Sequence, residues 1–144
     1  MAGVARRPVS RKQARRDALF VLYQHEVTAL PVASLMQNLS RDQGHPPDEF
    51  TQRLVLGVLG DREQLDETLA DHCHNWPISR LAPLERSALR LALFEMQGDE
   101  TPSEVAISEA VRLIKRYASS EAGALVNGVL GAIQKEREDD GGQE

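Results

Sequence analysis

The sequence predicts an all-α protein of about seven helices in one domain, and three observations lead to this prediction. Apolar residues recur at spacings of three and four along most of the chain, as they do on the buried face of a helix. Sustained alternation of apolar and polar residues, which is typical of a half-buried strand, is missing. All seven prolines fall between the helical patterns, where a fixed φ and a missing N–H do no harm; they are Pro8, Pro31, Pro46, Pro47, Pro77, Pro83 and Pro102.

Local signals divide the first half of the chain into four helices. Ser10 is a good N-cap residue and opens the first of them. Gly44 and the proline pair that follows it predict a loop before the third helix. Asp61 can cap the fourth helix, and Trp76 with Pro77 ends it. Helices are therefore expected over residues 10–29, 32–41, 48–58 and 61–74.

Three further helices are expected in the second half. Pro83 opens the fifth, and Gly98 suits the left-handed conformation that often follows a helix end. Thr101, Pro102 and Glu104 give the strongest start signal, because they supply an N-cap, a proline at the first helical position and an acid that closes a capping box. These helices are expected over residues 84–96, 101–117 and 121–135, and the acidic residues 136–144 are expected to be a disordered tail.

Charge is distributed unevenly along the chain. The formal net charge is −5, yet residues 1–16 contain six Lys or Arg residues and no acid, so the remaining residues carry −11. We expect residues 1–9 to form a flexible basic arm in front of an acidic helical body, residues 10–135. This asymmetry favours contact with an anionic partner at one end of the molecule.

Cysteine content and hydropathy indicate the compartment. Cys73 is the single cysteine, so no intramolecular disulfide can form and a reducing environment is expected. The first residues lack the apolar segment of a secretory signal, and no run approaches the ~18 apolar residues of a membrane span. We therefore expect a cytoplasmic protein without membrane contact.

The start of the first helix is predicted to bind RNA. Arg11 and Arg15 are four residues apart, as are Lys12 and Arg16, so each pair shares a helix face and two adjacent basic rows result. Tyr23 follows Arg16 by nearly two turns and extends one row with an aromatic ring. Cations that neutralise phosphates beside a ring that can stack on a base suit single-stranded RNA.

The position of these cations in the helix strengthens that prediction. An all-basic first turn opposes the helix dipole, which favours acids at an N-terminus, so a bound polyanion would relieve an unfavourable arrangement. Arg6 and Arg7 in the arm extend the same positive region. The alternative interpretation is a solvated helix start that only improves solubility.

Arg86 and Arg90 form a second candidate pair, because they are four residues apart on the fifth helix. They are either ordinary salt-bridge partners or a second RNA-facing pair, and the sequence alone leaves both alternatives open.

Residues that could hold a metal or perform catalysis form no recognised pattern. The sequence Asp71, His72, Cys73, His74 resembles a metal cluster, but consecutive helical side chains point about 100° apart and cannot converge on one ion. Neither a nucleophile elbow nor a glycine-rich phosphate loop is present. We therefore predict that the protein is not an enzyme and takes no cofactor and no metal.

Four segments of the chain resemble the NusB family, in the order in which the family has them. They are residues 15–24 (RRDALFVLYQ), 80–96 (RLAPLERSALRLALFEM), 101–115 (TPSEVAISEAVRLIK) and 126–130 (VNGVL). The first resembles the arginine-rich first helix of the family. The resemblance extends over about residues 10–135 and implies an all-helical fold of two small packed bundles.

The resemblance also implies a function. Family members bind the boxA element of nascent RNA together with NusE, a small-subunit ribosomal protein, and join an RNA polymerase antitermination complex that supports transcription of ribosomal RNA operons. By position, the arm arginines, Lys12 and Tyr23 are implied RNA contacts, whereas Glu85 and Glu121 are implied to lie near the protein partner. A homodimer that masks the arm is also compatible with the sequence.

Three residues depart from the family pattern. Ser108 replaces a common asparagine, Leu125 a frequent phenylalanine and Phe94 a frequent tyrosine, and these changes concern RNA contacts rather than the fold.

A NusB-like domain also precedes the catalytic domain of some RNA methyltransferases, but the sequence lacks the length for a cofactor-binding half. The remaining alternative is a non-catalytic helical adaptor that binds proteins.

Overall fold

The predicted all-α class is confirmed by a computed structural model, which describes residues 9–73 and 77–141. Within these ranges the chain forms seven α-helices, one short 3₁₀ turn over Ile78–Arg80 and no strand. The helices are α1 (Arg11–Thr28), α2 (Val32–Gln43), α3 (Glu49–Gly60), α4 (Arg62–Ala70), α5 (Pro83–Gln97), α6 (Ser103–Tyr117) and α7 (Ser120–Gly141).

The helix ends follow local chemistry that the sequence carries. The Ser10 hydroxyl accepts a hydrogen bond from the Gln13 N–H at 3.1 Å and so caps α1. The Asp48 carboxylate accepts one from the Phe50 N–H at 3.0 Å and caps α3. Gly44 ends α2 with φ of 79°, in the left-handed region where glycine has no Cβ penalty.

Helix α5 occupies the centre of the fold. It packs against α1, α3 and α4 on one side and against α6 and α7 on the other, while α6 and α7 form the most extensive helix pair. The core between them is aliphatic, and Leu19, Leu54, Leu89, Leu93 and Leu130 are all fully or almost fully buried. The position of α1 is therefore fixed by packing on both α3 and α5.

Helices α3 and α5 approach closely at one point. A Cβ atom added at Gly57 would overlap the ring of Phe94, so only glycine allows this ring to lie against the α3 backbone. Phe94, one of the three departures from the family pattern, thus packs between two helices.

The start of α6 differs from the predicted capping box. The helix begins at Ser103, and the Thr101 hydroxyl donates a hydrogen bond to the Glu95 carboxylate at 3.0 Å instead of capping the helix. Glu95 is buried on α5, and a buried carboxylate needs hydrogen-bond donors. This tertiary demand outweighs the local signal.

The last helix is longer than expected. Helix α7 continues to Gly141, through residues assigned to the disordered tail, while residues 142–144 lie outside the described ranges. Two tertiary contacts hold the added turns: the Glu136 carboxylate lies 2.6 Å from His72 Nε2, and Arg137 donates to the Met96 carbonyl at 3.0 Å. Of the helices in the described ranges, none combines the length and the apolar character that a membrane span requires.

Candidate nucleic-acid interface

The basic residues at the start of α1 point in two directions. Lys12 and Arg16 face the end of α6, where they line an open cleft. Arg11 and Arg15 face α3 and α5, and the Arg11 guanidinium lies 3.9 Å from the ring centroid of Phe50. The two basic rows expected from helical spacing therefore belong to different surfaces.

We call the first of these surfaces the α1/α6 cleft. It has a volume of about 170 Å³ and is lined by side chains from the start of α1 and the last turns of α6. The residues on which the functional argument depends are Ser10, Lys12, Arg16, Arg112, Arg116 and Tyr117. Two helices distant in sequence thus bring four cations to one opening.

The cations of the α1/α6 cleft remain accessible to a ligand. The side chains of Arg16 and Arg112 are 42% and 39% exposed. Arg16 lies 3.9 Å from Asp17, and Arg112 pairs with Glu109 of its own helix at 2.8 Å. In both pairs the arginine is the exposed member, because the Asp17 and Glu109 side chains are only 8% and 13% exposed, so a phosphate can approach each guanidinium from the solvent side.

The surroundings of Asp17, the acid next to Arg16 at the cleft, shift its pKa. Burial raises the pKa of Asp17 above its usual value, although Arg16 and hydrogen bonds from Gln13 and Gln43 act in the opposite direction. The carboxylate is turned toward these two amides, which donate at 3.0 Å each, and away from solvent. Asp17 therefore competes poorly for the Arg16 guanidinium.

Aromatic side chains stand beside the cations. Tyr117 is 36% exposed and packs edge-on against Phe20 of α1, with ring centroids 4.9 Å apart and planes at 84°. The Arg116 guanidinium lies 5.5 Å from the Tyr117 centroid. Tyr23 is half-buried on α1, three residues beyond Phe20. The cleft therefore combines cations with the exposed ring of Tyr117, whereas Tyr23, the ring named from the sequence, does not line it.

Arg15 is not part of this surface, which corrects the expected pairing of Arg11 with Arg15 as an exposed row. Its Nε donates to both oxygens of Glu95, at 3.0 and 2.9 Å, and the two side chains are only 7% and 3% exposed. The reason is helical phase: a residue four after Arg11 lies where α1 meets α5. Arg15 joins the two helices.

Arg86 and Arg90 are likewise used inside the fold. Arg90 is buried and donates to both carboxylate oxygens of Asp66 on α4, at 2.7 and 3.0 Å. The Arg86 Nε donates to Glu26 of α1 at 2.7 Å, and Arg90 reaches the same carboxylate at 3.4 Å. Of the two alternatives that the sequence left open, the structure favours salt-bridge partners.

The two acids implied to lie near the protein partner occupy the first turns of two helices. Glu85 is half-buried in the first turn of α5, and Glu121 is exposed in the first turn of α7, where an acid interacts favourably with the helix dipole. Arg6 and Arg7 lie outside the described residues. Ser108 is exposed on α6 and faces α7, and Leu125 is half-buried against the core. None of the three departures from the family pattern, Phe94 included, lines the α1/α6 cleft.

Sequence reasoning missed Arg112, Arg116 and Tyr117. Arg112 and Arg116 are four residues apart and share a face of α6, which is a signal that the sequence contains. Basic residues near a helix C-terminus interact favourably with the helix dipole, however, so these two arginines lack the unfavourable position that drew attention to the cations at the start of α1. Arg112, Arg116 and Tyr117 reach the cleft because the fold places the end of α6 beside the start of α1.

Metal chemistry has no site in the described part of the chain. No group of three or more His, Cys, Asp or Glu residues there is arranged to hold an ion. Burial raises the pKa of the Cys73 thiol, which makes it less reactive than a free cysteine.

Comparison with known proteins gives one family over most of the chain. The NusB family profile matches residues 12–135. The transcription antitermination protein NusB of Rubrobacter xylanophilus is 41% identical over 123 residues, which cover 85% of this chain and 88% of that protein. The protein of the same name from Bacillus subtilis is 36% identical over 131 residues, which cover 90% and 98%.

Solved structures are similar over the same region. A chain in the crystal structure of the antitermination factors NusB and NusE in complex with double-stranded RNA superposes with a TM-score of 0.78 at 31% identity, covering 88% of this chain and 96% of that one. T. maritima NusB superposes with a TM-score of 0.81 at 28% identity, covering 90% and 94%.

Proposed function

The chain belongs to the NusB family, and we propose that it is a transcription antitermination protein that binds boxA-type single-stranded RNA together with the ribosomal protein NusE. It acts by binding and not by catalysis. The observation that carries the proposal is the α1/α6 cleft, where Lys12, Arg16, Arg112 and Arg116 surround an exposed tyrosine.

The cleft suits a single strand of RNA for physical reasons. Its cations can neutralise two or more consecutive phosphates, which supplies affinity without reading the sequence. We expect a base to stack on the exposed part of the Tyr117 ring, which also contacts Phe20 and lies near Arg116. Stacking on such a ring is worth about 1–3 kcal/mol per base. The half-buried Tyr23 extends the same path along α1.

The protein partner is proposed to meet a different part of the molecule. Outside residues 1–16 the chain carries −11, so an acidic body can attract a basic ribosomal protein and accelerate its encounter. Glu85 and Glu121 are proposed as contacts of NusE. The solved NusB–NusE–RNA complex is the precedent for such a three-part assembly. We extend the proposal to a cytoplasmic RNA polymerase antitermination complex, and a homodimer that masks the arm would be its inactive form.

The test of this function is a comparison of RNAs. Binding of a boxA-like RNA strand is measured by fluorescence anisotropy against a scrambled strand and a double-stranded RNA of equal length, each with and without NusE. We expect the boxA-like strand to bind most tightly and NusE to strengthen its binding. Equal affinity for all three RNAs, unchanged by NusE, would leave a protein-binding helical adaptor as the better description.

A charge reversal at Glu85 tests the proposed NusE contact. Glu85→Lys reverses a charge at the proposed NusE contact, and its expected effect is a weaker NusE affinity with unchanged binding of RNA alone. Asp42→Lys is the matched control, because it makes the same charge change at an exposed position on α2, away from Glu85. An unchanged NusE affinity in Glu85→Lys would remove this residue from the interface.

A further inference from the structure

A second opening lies on the opposite side of α1 from the cleft. It is formed by α3, the end of α5 and residues 98–101, and has a volume of about 290 Å³. Phe50, Leu54 and Phe94 form its apolar floor. We call it the α3/α5 cavity, and none of the proposed RNA contacts of the α1/α6 cleft lines it.

The rim of this cavity is acidic. Asp61, Asp99 and Glu100 stand around the opening against one cation, Arg53. Arg53 donates to both oxygens of Glu100, at 2.6 and 2.9 Å, and these bonds hold the pKa of Glu100 below its usual value. The rim thus holds three acids against one arginine, and this excess of negative charge repels the phosphates of a nucleic acid.

A hydrogen bond to α5 also fixes the position of the rim. Thr101, at the end of the 98–101 segment, donates to the Glu95 carboxylate, which in turn is fixed by Arg15. A binding surface that is already ordered loses less conformational entropy when a ligand arrives. The exposed Arg53–Glu100 pair, by contrast, can open at small cost because surface ion pairs are weak.

We propose that the α3/α5 cavity binds an arginine or lysine side chain presented by a basic segment of a protein partner. Such side chains combine an apolar stem with a charged head, and the cavity combines an apolar floor with carboxylates at its rim. The volume is near the lower end of the range for ligand pockets, which suits one long side chain. The inference does not depend on RNA binding.

The molecule already contains three examples of the interaction. The guanidinium groups of Arg11, Arg15 and Arg53 lie 3.9, 5.4 and 5.5 Å from the ring centroid of Phe50, and Arg53 itself lines the cavity. A phenylalanine ring attracts cations at its faces, and the attraction grows when the site is shielded from water. The partner's side chain would use the same floor, with Asp61 and Asp99 in place of solvent around its charged end.

The experiment uses the full chain labelled with ¹⁵N and three blocked heptapeptides, GARKRAG, GAQQQAG and GAEEEAG. We expect only the basic peptide to shift the amide signals of residues 97–101, with a Kd between about 0.1 and 1 mM, and a rise from 50 to 200 mM salt to weaken it. Asp99→Lys and Asp61→Lys should each weaken it at least about fivefold. The matched control Asp42→Lys should change it less than about twofold.

Several results would overturn the proposal. One is that the basic peptide shifts only signals elsewhere, such as those of the acidic end of α7. Another is that Asp99→Lys and Asp61→Lys behave like Asp42→Lys while thermal unfolding shows all three folded. A six-nucleotide RNA strand that shifts the signals of residues 97–101 at the same concentration would assign the cavity to RNA instead.

Discussion

Arg15 and Arg16 are neighbours in sequence with opposite roles, and this contrast gives a sharp prediction. Arg15→Gln removes the cation that faces Glu95, a side chain only 3% exposed, and leaves the carboxylate with the Thr101 hydroxyl as its remaining side-chain donor. Breaking a buried ion pair on one side typically costs about 3–5 kcal/mol. Arg16→Gln removes an exposed charge, and its cost should stay within about 0.5 kcal/mol.

The assay is urea unfolding followed by circular dichroism, together with RNA anisotropy on the same samples. Total stabilities of single domains are about 5–15 kcal/mol, so Arg15→Gln should lower the unfolding midpoint strongly yet leave a folded population. Arg16→Gln should unfold like the parent protein and bind RNA more weakly. Replacing both partners, as in Arg15→Met with Glu95→Leu, should recover most of the lost stability.

The reasoning would be refuted if Arg15→Gln cost less than about 1 kcal/mol and weakened RNA binding as much as Arg16→Gln does. That outcome would mean that the Arg15–Glu95 pair is open in solution and that the exposed row expected from sequence is real.

Three other changes have defined outcomes. Gly57→Ala should destabilise the fold by about 1–3 kcal/mol in urea unfolding, because its Cβ would displace the Phe94 ring, whereas Gly60→Ala meets open space and serves as the control. Burial lowers the pKa of His72, but hydrogen bonds to a backbone carbonyl of α4 and to the Glu136 carboxylate outweigh this effect and raise the pKa above its ordinary 6.5. The contact therefore stabilises the fold fully below about pH 6.5, and its contribution is lost as pH rises through the pKa of the folded state. Glu136→Gln should flatten that part of the curve of stability against pH. Tyr117→Leu should weaken RNA binding by about 1–3 kcal/mol without changing the salt dependence, since it removes a stacking surface and no charge; an unchanged Kd would exclude stacking there.

Local chemistry explains why the helices could be predicted. Ser10, Gly44 and Pro83 act through their own backbone and their near neighbours, and the structure uses each of them as the sequence indicates. The capping box at Thr101 failed for the opposite reason, because Glu95 on another helix required its hydroxyl. The length of α7 was underestimated because contacts from His72, just after α4, and from α5 stabilise its last turns.

The candidate site could be predicted only in part. Helical spacing places Lys12 with Arg16 correctly, but it cannot tell which side of α1 faces the core, and Arg15 was therefore placed in solvent. Arg112 and Tyr117 reach the site through the packing of α6 beside α1, about a hundred residues later in the chain. Contacts of this kind are absent from any local pattern.

The most direct test of whether RNA binds in the α1/α6 cleft is the slope of log Kd against log salt concentration for a boxA-like strand. Each phosphate neutralised on a single strand contributes about 0.7 to this slope. Arg16→Gln combined with Arg112→Gln should therefore reduce the slope by about 1.4, while Arg41→Gln, an exposed arginine on α2, should leave it unchanged. An equal slope in the double variant and the parent protein would contradict the assignment of the α1/α6 cleft to RNA.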